Sequence, residues 1–336
     1  MIISIDPGKG FTKYCYDNNG LVYGRFPTKY TDLAVESGVS LYSDLSYHVK
    51  YKDQEYEVGI NGKRDMRQDG TDKKVLGHRL AMLTAIGLAM NKAGLTKDDI
   101  YVVLSMPAEV YKDNESRKSY HEYFMGEGKE SITIDGKTYT FDIKEILMQP
   151  EGRGYILDNI ESMKGDTLIV DIGHLNTHFI ELQDLDVIDM RTTNSGGFEL
   201  ENKVYTTIKE KNLDPDRRYI FKYIQEGYLR DNKGDEIKGS NEIITGVLNS
   251  YIKDIIGTIL ERGINLAMQD KIVFIGGTSE LLKDYIQEYP DIKSRVTVSK
   301  SAVMDTVKGN LLAGIVEFEK NKEVDEKPEA KEGGGE

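Results

Sequence analysis

Ile2-Ile3-Ser4-Ile5-Asp6-Pro7-Gly8-Lys9-Gly10-Phe11-Thr12-Lys13 opens the chain, and Thr167-Leu168-Ile169-Val170-Asp171-Ile172-Gly173-His174-Leu175-Asn176-Thr177-His178 repeats its plan near the midpoint. Each is an apolar, β-rich run ending in Asp-x-Gly, then a short polar turn, then a run that reads as a second strand. A strand ending in Asp sets a carboxylate at the edge of a sheet. The glycine after it lets the backbone turn tightly and brings N–H groups close to an anion. Two such hairpins facing one another hold a polyphosphate between them and leave two aspartates for a hydrated divalent cation. One Asp-x-Gly is a common surface turn. Two in matched context, about half a chain apart, predict a duplicated α/β fold with a nucleotide between its halves.

The rest of the composition narrows the class. The 336 residues suffice for two domains with buried cores. Apolar residues make up 39% and charged residues 30%, the balance of a soluble globular protein. No apolar run is read as long enough for a membrane span. The chain starts directly on a strand, so no leader peptide is expected. A single cysteine, Cys15, excludes an internal disulfide and a cysteine metal cluster. The net charge of −13 argues against direct binding of nucleic acid, though not against a complex reached through an adaptor protein. A cytoplasmic location without membrane contact is the expectation.

Working outward, the first hairpin continues through Asp17-Asn18-Asn19-Gly20 to a third strand. Residues 26–72 are polar and Gly-rich and read as a small insertion subdomain, with a strand pair near 46–50 and 56–60. A helix is expected over 74–93, a buried strand over 100–107, a hairpin around Asp135-Gly136, and a short strand over 146–148 leading to a helix that ends near Glu161. The second half repeats the order: a hairpin over 167–182, a strand over 186–191, and a helical subdomain over 198–268. A strand at 271–275 then turns sharply into a helix, and a last helix follows over 303–320. The division predicted is 1–164 plus 303–320 for one domain and 165–302 for the other. Residues 321–336, Glu-, Lys- and Gly-rich without aromatics, read as a disordered acidic tail.

Four segments carry chemistry. In the first hairpin, Gly8 and Gly10 supply backbone donors, Thr12 a hydroxyl and Lys13 a charge for phosphate; Phe11 completes the turn, and Lys9 either joins the phosphate contacts or faces solvent. In the second, Gly173, His174, Leu175, Asn176 and Thr177 take the equivalent places. His174 and His178 do not form a metal pair, because i and i+4 lie far apart on a strand. Ile275-Gly276-Gly277-Thr278 is a strand-to-helix turn that admits a planar ring or a phosphate. In Gln149-Pro150-Glu151-Gly152-Arg153-Gly154, Pro marks a helix start, and either Gln149 or Glu151 can orient a water for attack on a terminal phosphate or cap the helix. Gly196 and Gly197 open a further helix and are expected near ribose and phosphates. Lys222 and Glu226, one turn apart, either reach the ribose or base or form a surface ion pair.

In this order the segments resemble the actin, sugar kinase and heat-shock chaperone ATPase superfamily. Asp6–Lys13 is similar to its first phosphate motif, Gln149–Gly154 to its first connecting helix, and Asp171–Thr177 to its second phosphate motif. Ile275–Thr278 is similar to its adenosine motif and Val303–Gly314 to its second connecting helix. Within it, the segments Leu76–Leu83, Leu104–Tyr111 and Ile146–Tyr155 resemble ParM-type bacterial actins that segregate plasmids. The resemblance implies two duplicated actin-like, ribonuclease-H-like domains, ATP or GTP with Mg²⁺ in the cleft, and nucleotide-driven polymerisation weakened by hydrolysis. It further implies Asp6 and Asp171 holding the cation through waters, a water-positioning residue at Gln149 rather than Glu151, ATP rather than GTP, and a DNA-binding adaptor on the plasmid. Lys9 and His174 stand where the superfamily often carries Ser or Thr. A small-molecule kinase of the same fold is the alternative, but its candidate catalytic aspartates, Asp113 and Asp158, lack context.

Overall fold

Two sheets of different size repeat one strand order. The computed structural model describes residues 1–35, 43–65 and 73–325. The strands are β1 (Ile2–Pro7), β2 (Phe11–Asp17), β3 (Leu21–Pro27), β4 (Lys29–Asp32), β5 (Ser46–Tyr51), β6 (Gln54–Gly59), β7 (Arg64–Asp65), β8 (Lys97–Met106), β9 (Lys129–Ile134) and β10 (Lys137–Pro150), then β11 (Asp166–Ile172), β12 (Thr177–Gln183), β13 (Asp186–Thr193), β14 (Lys271–Ile275) and β15 (Val296–Val298). The helices are α1 (Leu76–Lys92), α2 (Ala108–Lys112), α3 (Asn114–Met125), α4 (Arg153–Asp158), α5 (Gly197–Glu210), α6 (Ile220–Glu226), α7 (Ser240–Glu261), α8 (Gly277–Leu281), α9 (Lys283–Gln287) and α10 (Asp305–Asp325).

Among the described residues the first lobe has a ten-stranded sheet in the order β3-β2-β1-β8-β10-β9-β5-β6-β4-β7; the second has five strands in the order β13-β12-β11-β14-β15. In both, an antiparallel meander of three strands is followed by two strands parallel to the first. This is the duplication that the two hairpins announce. Parallel neighbours require helical crossovers, and these cover the sheets. One core gathers Ile3, Ile5, Val102 and Leu104 of the first sheet with Leu80, Leu83 and Ile86 of α1. The other gathers Leu168, Val170, Ile172 and Phe274 with Leu200 and Val204 of α5 and Ile244, Leu248 and Ile252 of α7. Each fully buried side chain of this kind contributes about 1.5–3 kcal/mol.

Several boundaries move. The second strand of the hairpin expected around Asp135-Gly136 and the short strand expected over 146–148 are one strand, β10, joined through a bulge at Lys144: Ile143 pairs with Ile100 but Glu145 with Tyr101. Before the bulge Tyr139, Phe141 and Ile143 enter the core; after it Ile146 and Met148 do. α4 ends at Asp158, three residues before Glu161, and a separate turn of 3₁₀-helix follows at Ile160–Ser162. The last helix runs to Asp325, past Lys320, so the expected tail is helical over its first five residues. Residues 326–336 lie outside the described residues, as do 36–42 and 66–72 of the expected insertion subdomain. α7 is long and apolar enough by composition to cross a membrane, against the reading of the sequence. Its apolar side chains Ile244, Leu248, Ile252 and Ile256 are buried in the second core.

α10 returns the chain to the first lobe, packing on α4, β1 and β8. It crosses α4 backbone to backbone. A Cβ on Gly309 would overlap the Gly154 carbonyl, and a Cβ on Gly154 would overlap the Thr306 carbonyl. Only glycine permits this approach.

Candidate nucleotide site

The two Asp-x-Gly hairpins occupy equivalent places in the two sheets. Asp6 is the last residue but one of β1, opposite Lys13, and Asp171 is the last but one of β11, opposite His178. Their turns meet: a Cβ on Gly10 would stand 3.2 Å from His174 Cγ. Between them lies a cavity of about 570 Å³, within the usual range for a small-molecule site. Asp6, Gly8, Lys9, Gly10, Phe11 and Lys13 line it from one side. Asp171, Gly173, His174, Leu175 and Asn176 line it from the other, and Gly276, Gly277 and Thr278 close it.

Gly276 sits at φ +89°, where only glycine is unstrained, and a side chain there would collide with Asp171 and the Ile172 carbonyl. The Thr278 hydroxyl donates to the Gly173 carbonyl at 3.0 Å, tying this turn to the second hairpin. Gly196 and Gly197 act one layer back. Gly197 N–H donates to the same carbonyl at 3.0 Å, and Gly196 lies against the His174 and Leu175 backbone. They shape the turn without lining the cavity.

Other expected site residues lie away from the cavity or are engaged elsewhere. The Thr12 hydroxyl is buried against the Thr28 hydroxyl at 2.8 Å, and the Thr177 hydroxyl donates to the Ser195 carbonyl at 2.6 Å. Both are already engaged, and neither residue lines the cavity. Lys222 and Glu226 approach each other at 3.8 Å on the surface. α6 turns Phe221 and Gln225 into the cavity instead, one position earlier on the helix. Gln149 is inside β10, paired with Ser105, its Oε1 accepting from Arg153 at 3.4 Å; it does not line the cavity. Glu151, the first residue beyond the strand, does. Of the two kinase candidates, Asp113 caps α3 by accepting from Ser116 N–H, and Asp158 pairs with Lys308.

Glu151 is the centre of a charged network. Its Oε1 is 2.5 Å from Lys73 Nζ and its Oε2 is 2.8 Å from His178 Nε2. The other ring nitrogen of His178 meets the Thr192 hydroxyl at 2.9 Å. Lys73 also lies 3.6 Å from Asp6 Oδ1. Burial alone would raise the Glu151 carboxyl, but Lys73 and His178 hold it well below the usual range. Burial alone would lower the Lys73 ammonium, but Glu151 and Asp6 keep it raised. Asp171 differs: burial lifts it to about 6 although His178 and Lys13 pull it down. Lys73 and His178 carry no motif. Lys73 is one lysine of a Lys-Lys pair before a helix, and His178 shows only through its register opposite Asp171.

The donor set suits a nucleotide with a hydrated cation. Asp6 Oδ1 is buried without a hydrogen-bond partner. Among the described residues no cluster of three His, Cys, Asp or Glu could cage a metal. Two carboxylates beside a phosphate cradle fit Mg²⁺, which keeps several waters and leans on substrate phosphates.

Residues 4–154 match the family model "Actin like proteins N terminal domain". No curated protein sequence matches significantly. Solved structures match over nearly the whole chain. An Alp12 filament is 23% identical with a TM-score of 0.66, covering 94% of this chain and 98% of its own. Actin-like protein Alp7A is 16% identical with a TM-score of 0.74, covering 97% and 98%. A 15-stranded ParM filament from Clostridium botulinum is 16% identical with a TM-score of 0.71, covering 94% and 99%. With two lobes of matching strand order around the cavity, the chain has an actin-like fold, and its residues 4–154 match an actin-like N-terminal domain.

Proposed function

We propose that this protein binds ATP with Mg²⁺ between its lobes, hydrolyses it, and assembles into filaments of its own copies. The observation that carries the reading is the pair of facing Asp-x-Gly turns, with Lys9, Lys13 and Lys73 on the same cavity. The lysines and turn N–H groups take the phosphates, and Asp6 and Asp171 hold the waters of the cation. Mg²⁺ would neutralise charge developing on the terminal phosphates. Gly276 and Gly277 lie under the base, with Phe221 and Gln225 facing it from α6. Glu151, held ionised and aimed by Lys73 and His178, orients the attacking water. The similarity to the Alp12 and ParM filament structures supports assembly, and the resemblance of the sequence segments to ParM-type actins extends the proposal to plasmid segregation through a DNA-binding adaptor.

Sedimentation with ATP·Mg²⁺, with ADP·Mg²⁺ and without nucleotide, alongside phosphate release, tests the reading. Pelleting that requires ATP is expected; identical sedimentation in all three sinks it. Asp171→Ala should slow phosphate release about 100-fold, the equivalent of about 2.7 kcal/mol. A wild-type rate in that variant would reduce Asp171 to a turn residue.

A further inference from the structure

The row of paired residues that crosses the first hairpin runs one strand further. Asp6 on β1 is directly opposite Lys13 on β2, and Lys13 is directly opposite Arg25 on β3. Directly opposite residues project from the same face of a sheet. All three line the cavity. Lys13 Nζ lies 3.3 Å from Asp6 Oδ2. Arg25 has no carboxylate partner among the described residues. Its guanidinium lies over the Phe11 ring, 5.7 Å from the centroid, and Phe11 is itself a cavity residue at 44% exposure. A guanidinium lying over a ring face spends no N–H donor on it, and its planar fork matches phosphate oxygens. The cavity therefore has a cation with open donors at its rim, beside a lysine already turned toward Asp6.

We propose that Arg25, held in place by Phe11, binds the terminal phosphate and makes the site prefer a nucleoside triphosphate to the diphosphate. The inference rests on the nucleotide reading above. It also gives a route out of the site. β3 ends at Pro27, Thr28 N–H donates to the Gly10 carbonyl at 3.0 Å, and β4 begins at Lys29 and pairs with β6. A phosphate held by Arg25 is thus four residues from the outer strands of the first sheet.

The test is the affinity of the full chain for ADP·Mg²⁺ and for a non-hydrolysable ATP analogue with Mg²⁺, by calorimetry. Arg25→Ala should weaken the triphosphate about 10-fold and the diphosphate less than about 2-fold, in line with a solvent-facing charge-assisted hydrogen bond. Arg25→Lys, which keeps the charge and loses the fork, should fall between. Phe11→Ala should lose part of the same preference. Arg25 is exposed, so these variants should melt with the wild type. Equal weakening of both ligands, or none, overturns the inference and leaves nucleotide binding standing. A wild-type chain that binds neither ligand overturns the nucleotide reading and this inference with it.

Discussion

Glu151→Gln is expected to slow nucleotide hydrolysis about 100-fold, the scale lost with a positioned acid–base group, while nucleotide binding and assembly persist. The polymers should then outlive those of the wild type. Glutamine keeps the shape of the side chain and one acceptor, but it loses the charge that Lys73 and His178 stabilise. Lys73 keeps Asp6 at 3.6 Å, so the variant does not strand a buried ammonium. Gln149→Ala should hydrolyse at close to the wild-type rate, because Gln149 is inside the strand and turned to Arg153. Single-turnover phosphate release with both variants, read beside sedimentation, decides between them. Slow hydrolysis in Gln149→Ala with a normal rate in Glu151→Gln would return the role to Gln149.

Gly309→Val should destabilise the protein by about 3 kcal/mol or more, the range of severe overpacking. The clash is with the Gly154 carbonyl, which is backbone and cannot swing aside as a side chain would. α4 and α10 must separate, and both pack next to the cleft-bearing strands. A melting temperature lower by about 6 °C or more, or insoluble protein, is the expected result. Gly257→Ala is the control. It lies within α7, a Cβ there meets nothing within 4 Å, and alanine is the better helix former. If Gly309→Val melts with the wild type, the crossing is looser than its backbone contact implies.

Legibility followed the kind of signal each residue carries. The hairpins could be read because Asp, Gly and a β-rich run are local features, and their recurrence needs no knowledge of the fold. Gly276 could be read for the same reason. The helix facing the cavity could not be phased: each step along a helix turns the side chain by about 100°. Lys222 and Glu226 attract attention as charges, yet Phe221 and Gln225 face inward. Gln149 and Glu151 are two apart on an extended chain and share a side, so periodicity cannot separate them. They differ by about 7 Å in depth along the strand, and depth depends on where β8 stops. Thr12 and Thr177 are lost to hydrogen bonds with Thr28 and Ser195, partners set by tertiary contact. Lys73 and Arg25 carry no motif, and only the fold brings them to the cavity.

The bulge in β10 has a consequence for how such a site is inherited. A strand is a wave of period two, and one extra residue is a half-period dislocation in it. Upstream of Lys144 the odd-numbered residues face the core; downstream the even-numbered ones do. That phase slip is what leaves 149 and 151 on the other side of the sheet from Tyr139 and Phe141. Lys144 itself is a surface residue beside Asp99 and Asp142, and its chemistry is exchangeable. Its place in the count is not. Whether residue 151 meets the core or the cleft is decided by arithmetic parity several positions upstream, so a one-residue gap there carries as much meaning as a substitution in the cleft.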